Sequence, residues 1–500
     1  MKRLCSLFLI LFYHNLFAQN PVIADTVSLA RNLAYEKKFD KANNLLTLYN
    51  AQHSDVNALR LQALVLFWMK KFDEATAVYE KTLNLFPGVA AVKLDYGSML
   101  YQLNKYSKTR QLLKEYLIFD STHQETNKML AYIDLWTGHI AAAKKKAALL
   151  ERLHPGNADA DYILQQIAYY TAPYIKLQGA TYSDDQPLQR QSFEPEAGVY
   201  RSWLFSPFIK ASLYSFDADQ IYKTSWIEAG NKISLASSKT DLEFSAGYFQ
   251  ASNYNGEMSW KAKLVQKISP SFSLDAVTHK KPYQYTLASI ENPFLYQVTD
   301  LGLNFDRKSR WLGRAAYQNQ SFGDSNSIYT VYAWLLAPLV HKDNFLLKAG
   351  YAFSYADAEV NTFKPKQTTV IPPVLNTQID GVYNPYFTPS KQTVHSLLAS
   401  LDIKFSTMVS FSSNLNVGVY ASAYQPSYFV DRNGLGPYFI NKKYENYSYT
   451  PVTFSTELKA NLSQNFFINT IYRYNSLIFF KSHFITLQLK YLFLNAKGKK

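Results

Sequence analysis

The sequence predicts α and β structure in separate domains: an N-terminal α-helical solenoid, followed by an antiparallel transmembrane β-barrel of about 16 strands. Three observations carry this prediction. Small and aromatic residues recur every 33 to 34 positions in the first third of the chain. After Pro173 the apolar pattern changes from a helical period to alternation. The chain is rich in aromatic residues (16%) and poor in charged ones (18%), yet its mean hydropathy is slightly negative, at −0.21.

The N-terminus has the features of a secretory signal, which we place at residues 1–19. Lys2 and Arg3 precede an apolar stretch, and cleavage is expected near Ala18. The single cysteine, Cys5, would leave with this segment, so we expect no disulfide, thiolate metal site or cysteine nucleophile in the mature chain. After it, no window approaches the ~18 to 20 apolar residues of a spanning helix. The mature protein is therefore either soluble or crosses a membrane with strands.

The net charge of +14 does not indicate a nucleic-acid partner, because the basic residues are scattered along the chain. The basic tail at 495–500 is short.

Four repeats fill the first domain, which we place at residues 20–172 with a final helix after the last repeat. Equivalent large residues stand 33, 34 and 34 positions apart, at Phe39, Phe72, Tyr106 and Ile140. Small residues keep fixed offsets from them, at Ala30, Ala42, Ala63, Ala75, Gly97, Thr109, Ala131 and Ala143. Pro87 and Pro155 end two of the units. We interpret these residues as solenoid core, and residues 23–170 resemble a tetratricopeptide-repeat (TPR) domain.

The second domain, 173–494, divides into sixteen amphipathic segments of the length expected for tilted membrane strands. The predicted spans are 174–182, 191–202, 206–216, 223–236, 239–251, 256–268, 271–280, 296–307, 309–320, 326–340, 344–356, 391–405, 410–424, 445–462, 465–475 and 481–494.

Links after even-numbered strands are short, as at Ser237–Ser238, Lys308 and Ser463–Gln464. Links after odd-numbered strands are generally longer and include 281–295, 357–390 and 425–444. Short periplasmic turns and long external loops are typical of outer-membrane barrels, and an even strand number puts both barrel ends in the periplasm.

Charged residues fall on the polar faces of these segments. Because a charge facing lipid near the bilayer midplane costs roughly 2 to 4 kcal/mol, we expect them to line a wet lumen. The candidates are Lys176, Glu228, Lys232, Asp241, Glu243, Lys261, Lys263, Arg314, Lys348, Asp402, Lys404, Glu457, Lys459, Arg473 and Lys490. Trp226, Trp260, Trp311 and Trp334 are interpreted as interfacial anchors. The alternative for any that face inward is stacking on a sugar.

Repeats followed directly by a first strand, as at PYIKLQGATYSDDQPL, and the segment YNPYFTPSKQ (Tyr383–Gln392) resemble the YaiO-type outer-membrane barrels with N-terminal TPRs. More distantly, the chain is similar to the export porins for poly-N-acetylglucosamine and cellulose (PgaA, BcsC). The resemblance implies a conduit for a polysaccharide or related envelope polymer in the outer membrane of a Gram-negative bacterium. It implies lipid around the barrel, a glycan in the lumen, and a periplasmic or inner-membrane protein bound to the TPRs.

Two other classes stay open at this point. One is a passive porin or a scaffold without a transport role. The other is a barrel enzyme, which we consider least favoured because His279, His341, His395 and His483 lack a recognisable serine partner motif. We expect no catalytic residues, metal or cofactor. The loop 357–390, with Pro365, Pro372, Pro373, Pro385 and Pro389, is a candidate plug or a plain surface loop.

Overall fold

The computed structural model describes residues 21–185, 188–218, 220–235, 238–307, 311–367, 374–478 and 480–494. The expected signal segment and basic tail lie outside this range, as do Ser237, Lys308, Pro372 and Pro373. The chain divides into two compact units, Met1–Leu164 and Gln165–Lys500. Among the described helices, none has the length and apolar character needed to cross a bilayer.

The described residues before Pro173 form nine helices that pair in a TPR-like array. They are α1 Pro21–Tyr35, α2 Phe39–Gln52, α3 Val56–Trp68, α4 Phe72–Leu85, α5 Ala90–Gln102, α6 Tyr106–Phe119, α7 Gln124–Trp136, α8 Ile140–Leu153 and α9 Ala158–Thr171.

The turn inside each repeat uses one residue with left-handed backbone, which ends the first helix of the pair. These residues are Lys37, Lys70, Asn104 and Gly138, with φ between 58° and 74°. Only the last is a glycine, so the turn is set by the packing of the repeat more than by glycine's conformational freedom.

Small residues let the paired helices approach closely. Ala42, Ala63, Ala75 and Ala131 are fully buried. At Gly97 a side-chain carbon would lie 2.7 Å from Leu113 Cδ2. The large residues that begin the second helices, such as Phe72, remain half exposed. The small residues therefore form the closest contacts of the array, and the large ones cover its edges.

The second unit is a closed antiparallel barrel of sixteen strands. Its strands are β1 Tyr174–Asp184, β2 Gln189–Gly198, β3 Ser206–Asp217, β4 Ile221–Leu235, β5 Thr240–Ala251, β6 Tyr254–Lys267, β7 Phe272–Pro282, β8 Leu295–Asp306, β9 Leu312–Ser321, β10 Ser327–Lys342, β11 Phe345–Ala358, β15 Gln392–Lys404, β16 Val409–Arg432, the interrupted pair β17 Tyr438–Ser448 and β18 Val452–Asn461, β19 Phe466–Ser476 and β20 Lys481–Leu492. Each strand pairs with its neighbour in the chain, and β1 pairs with β20, with Lys176 opposite Lys490, to close the barrel.

Two expectations about the links were wrong. The stretch 425–444 is mostly strand, because β16 continues to Arg432 and pairs with β17, so that Gln425 lies opposite Glu445. Regular alternation in this stretch is obscured by Pro426 and several consecutive polar residues. The links after β1, β3 and β5 were expected to be longer than those after even-numbered strands. In the structure they are as short as the links at the other end of the barrel.

We call the end of the barrel that carries the links after odd-numbered strands the long-link rim, and the other end the short-link rim. Two long loops lie at the long-link rim. Residues 283–294 contain a short helix, α10 Leu287–Glu291, and residues 359–391 contain three short strands. These are β12 Phe363–Pro365, β13 Gln378–Ile379 and β14 Gly381–Tyr383. The chain enters β1 and leaves β20 at the opposite, short-link rim, where Phe493 N donates to Pro173 O.

Candidate functional site: the barrel lumen

Successive residues of each strand face opposite sides of the barrel wall. Large apolar side chains on one side, such as Ile209, Leu213, Ile227 and Leu301, are about half exposed. The opposite face carries the charged residues, some of them deeply buried, as Lys348 is at 3% exposure. An apolar outside and a charged inside, with every strand paired, is the architecture that allows strands to cross a bilayer.

The structure places all of the charged residues selected from the sequence on the inner face. Cross-strand register shows this directly, since Lys232 lies opposite Glu243, which lies opposite Lys263. Some of the selected residues form ion pairs with one another: Lys261 with Glu243 at 2.6 Å, Lys459 with Glu457 at 2.8 Å, and Lys348 with Asp402 at 3.9 Å.

Other selected residues contact polar or aromatic groups. Glu228 accepts a hydrogen bond from Ser245 Oγ, and Asp241 accepts one from Ser234 Oγ. The ammonium group of Lys490 lies 5.2 Å from the centre of the Tyr174 ring.

Sequence reasoning missed several ion-pair partners on the same face. Glu196 pairs with Lys176 at 2.5 Å, and Glu194 pairs with Lys210 at 2.6 Å. Alternation alone could have found these carboxylates, because Glu194 and Glu196 occupy polar positions of a predicted strand. The ion pairing itself depends on register between strands, which alternation does not give.

Arg314 on β9 connects four strands. Its two terminal nitrogens contact Asp275 on β7 at 2.6 and 3.0 Å, and its guanidinium also pairs with Asp300 on β8. Nη1 donates to Asn304 Oδ1 at 2.8 Å, and Nε donates to the hydroxyl of Tyr332 on β10 at 3.0 Å. This planar, multidentate arrangement is specific to arginine.

On β11 to β18 the charged inner-face residues lie near the short-link end of the strands, and the rest of this wall is neutral. Its inward side chains are largely hydroxyls and amides, including Ser354, Ser396, Ser400, Asn414, Asn416, Thr453 and Ser455. A cavity of about 590 Å³ is lined by this neutral region, by inner-face residues of β8 to β10 and by the loop around Phe387. Gln318, Thr330, Asn416, Tyr449 and Phe387 are among its lining residues. Hydrogen-bonding groups beside aromatic rings, in a space of this size, suit a hydrated saccharide unit.

Two of the four tryptophans interpreted as interfacial anchors are instead inside the barrel. Trp226 Nε1 donates to Ser259 Oγ at 2.6 Å, and its side chain packs near Phe249. Trp334 lies opposite Arg314 in the register and shares the inner face with it. Trp260 is on the outer face, and Trp311 is 41% exposed in a link. Alternation already puts Trp226 on the same face as Glu228 and Lys232, whereas in β10 consecutive apolar residues hide the inward face of Trp334.

Two of the chain's own loops pack inside the barrel at the long-link rim. Tyr386, at 1% exposure, packs in an aromatic group with Tyr283, Phe294, Tyr296 and Phe322, which we call the mouth cluster. The rings of Tyr386 and Phe322 stack at 3.6 Å between centroids. The Tyr386 hydroxyl donates to Asp324 at 2.7 Å. Tyr296 belongs to the inner face of β8, so this part of the loop enters the lumen.

The loop of residues 283–294 enters the lumen beside it. Ile290 of α10 is buried against Phe216 and Tyr222, which are inner-face residues of β3 and β4. Thr286 Oγ1 donates to Pro385 O at 2.6 Å and so joins the two loops.

The other half of the 359–391 loop packs elsewhere. Phe363 stacks on Tyr428 of β16 at 5.7 Å. The candidate plug is therefore divided, because residues around 386 enter the lumen and residues around 363 contact the β16–β17 hairpin.

The helical unit carries an exposed aromatic group of its own. Trp136 is 52% exposed and lies within 6 Å, ring centre to ring centre, of Tyr101, Tyr106 and Tyr132. Tyr162 extends this group from α9, at 6.2 Å from Tyr132. Exposed aromatic residues in contact with one another are typical of protein-binding surfaces.

Comparisons with known proteins give likenesses to both units. No protein-family model matches the chain. The CTR9 homolog of Arabidopsis thaliana is 28% identical over 169 residues, which are 32% of this chain and 15% of that protein. The chain thus spans only 15% of the length of this curated relative.

Among solved structures, a bacterial polysaccharide outer membrane secretin is similar with a TM-score of 0.45 and 10% identity, covering 65% of this chain and 99% of that one. YrrB, a TPR protein with an unusual peptide-binding site, is similar with a TM-score of 0.27 and 18% identity, covering 29% of this chain and 75% of that one. A TPR protein of Parabacteroides merdae gives a TM-score of 0.28 and 12% identity, with 30% and 60% coverage.

Proposed function

We propose that this chain is an outer-membrane conduit that exports a polysaccharide or a related envelope polymer. The observation that carries the proposal is a lumen with a saccharide-sized cavity and two of the chain's own loops packed inside its long-link mouth. A polymer conduit must stay closed when no polymer occupies it, since an open barrel of sixteen strands would let small solutes leak across the membrane. The passive porin is the weaker alternative, because a general porin depends on an open mouth.

The lengths of the links at the two rims support one orientation of the barrel in the outer membrane. The short-link rim would face the periplasm and the long loops would face outward, as is usual for outer-membrane barrels. Since the chain enters the barrel at the short-link rim, the TPR repeats belong to the periplasmic side in this proposal. There they would dock a periplasmic or inner-membrane protein, and the aromatic group around Trp136 is the surface we assign to that contact.

The finer assignments are part of the same proposal. We assign the chain to the YaiO-type barrels, with a more distant relationship to the PgaA and BcsC porins. We assign it no enzymatic activity and no cofactor. The described residues contain no group of three His, Cys, Asp or Glu side chains placed to hold a metal ion.

Deleting the repeats tests the export role. In the native host, removal of residues 26–157 with the barrel retained is expected to abolish secretion of the polymer, because the barrel would lose its link to the machinery that supplies it. The polymer should then collect in the periplasm. Trp136→Ala should reduce secretion in the same direction, whereas Leu48→Ala, which removes an exposed apolar side chain from another part of the repeats, should not.

The result of the deletion can be interpreted only if the barrel still assembles. Heat-modifiable migration in denaturing gels reports a folded barrel and serves as the assembly control. Normal polymer secretion from a strain that lacks the entire chain would contradict the export role.

A further inference from the structure

Charge in the lumen is unevenly neutralised. Inner-face carboxylates are mostly held in ion pairs, as Glu194, Glu196, Glu243, Asp275 and Asp300 are. Within the described residues, several inner-face cations have no carboxylate within ion-pair distance. They include Arg190, Lys232, Lys263, Lys267, Lys404, Arg473 and Lys490. The lumen therefore holds an excess of positive charge that the protein itself does not neutralise.

Two of these cations share one row of the sheet. Arg473 on β19 lies opposite Phe484 on β20, Phe484 lies opposite Tyr182 on β1, and Tyr182 lies opposite Arg190 on β2. We call Arg473, Phe484, Tyr182 and Arg190 the arginine–aromatic row. Two aromatic rings thus stand between two guanidinium groups on the inner wall.

The guanidinium groups pack on the rings. Cζ of Arg190 lies 5.1 Å from the ring centre of Tyr182 and 5.9 Å from that of Phe484. Cζ of Arg473 lies 5.9 Å from the Phe484 ring centre. Stacking of this kind positions a guanidinium while leaving its N–H groups available to a ligand.

Those N–H groups have no protein acceptor among the residues that the structure describes. The contrast is Arg314, whose guanidinium is saturated by Asp275, Asp300, Asn304 and Tyr332. The nearby carboxylate of Asp184 accepts hydrogen bonds from the Tyr182 hydroxyl and from Leu188 N. The row therefore combines two available guanidinium forks with two aromatic rings.

This combination matches one ligand chemistry. A guanidinium fork binds a carboxylate through two parallel hydrogen bonds, and an aromatic ring packs on the apolar face of a sugar ring. We propose that the arginine–aromatic row binds the acidic sugar units of a carboxylate-bearing glycan, so that the polymer carried by this barrel is a polyuronate. This inference rests on the proposed export function and names its substrate class.

The row also lies beside the loop that contains α10. Tyr182 packs against the cluster that contains Ile290 of α10, and Phe216 of that cluster lies opposite Arg190. A glycan bound at the row would therefore contact the loop that covers this part of the mouth.

Calorimetry on the full-length protein in detergent tests the site without requiring export. The probes are a linear oligogalacturonate and a neutral malto-oligosaccharide of equal length. We expect the uronate to bind at least 10-fold more tightly than the neutral sugar. Arg190→Gln/Arg473→Gln should weaken uronate binding at least 10-fold, since it removes both charge-assisted, two-pronged contacts to the carboxylates. Phe484→Leu should weaken it while keeping the charge.

The matched control is Lys267→Gln/Lys404→Gln, which removes two unpaired lumen cations outside the row. Uronate affinity should change little in this control. Equal binding of the two sugars, or equal losses in the two double variants, would overturn the site. Heat-modifiable migration checks that every variant is folded.

The two proposals fail separately. If the uronate binds but secretion does not depend on the chain, the export function fails. If secretion depends on the chain and the uronate does not bind, only the substrate class fails.

Discussion

Replacing Arg314 with leucine is expected to lower the free energy of unfolding of the barrel by roughly 3 kcal/mol. The substitution leaves the carboxylates of Asp275 and Asp300 largely buried and without their cation. It also removes the hydrogen bonds to Asn304 and Tyr332, so that contacts among four neighbouring strands are lost together. Arg314→Lys should recover only part of the loss, because a single ammonium cannot replace a two-pronged contact.

Urea unfolding in detergent, followed by heat-modifiable migration, measures this effect. Arg473→Leu is the matched control, because it removes a lumen arginine that makes no ion pair among the described residues, and its stability should change by less than about 1 kcal/mol. Equal stability of Arg314→Leu and wild type would show that the network does not hold these strands together.

Replacing Tyr386 with alanine is expected to open the long-link mouth. The side chain is fully buried in the mouth cluster, and truncating a buried aromatic residue costs about 3 to 5 kcal/mol. We assume that about 3 kcal/mol of this cost destabilises the covered state and not the open one. Because about 1.4 kcal/mol changes an equilibrium tenfold, the ratio of open to covered mouths should then rise roughly 100-fold. Wild-type protein in planar bilayers should be mostly silent, and Tyr386→Ala should conduct for most of the recording.

Tyr317→Ala is the control for this change. Tyr317 is a half-exposed tyrosine on the outer face of β9, so its loss should leave the mouth covered. A wild-type channel that conducts steadily, with the same conductance in Tyr386→Ala, would contradict the closing role of the loops and favour a passive porin.

The helical repeats and the strand order were predictable because both depend on local periodicity. The fixed spacing of Ala42, Ala75 and their equivalents locates the helix pairs. Alternation around Lys261 and Lys263 identifies a strand with one polar face. Short strands with strong alternation therefore gave reliable positions, whereas strand ends shifted by a few residues.

What the sequence could not provide is contact between distant segments. The pairing of Arg314 with Asp275 depends on register across three strands, and the burial of Tyr386 depends on a loop folding back into the barrel. Such contacts depend on which neighbour a strand pairs with, and single-strand patterns do not contain that information. The inward face of Trp334 was missed because no charged residue near it marks the polar face of β10, whereas Trp226 shares the predicted polar face of Glu228 and Lys232.

The most direct test of the conduit is photo-crosslinking in cells that are secreting polymer. A benzophenone amino acid replaces Trp334 on the lumen face or, in a second strain, Leu335, whose side chain is on the outer face and 44% exposed. If polymer passes through the barrel, the probe at position 334 should become linked to glycan, and the probe at position 335 should not. Glycan linked equally at both positions, or at neither while secretion continues, would contradict the passage of polymer through this lumen.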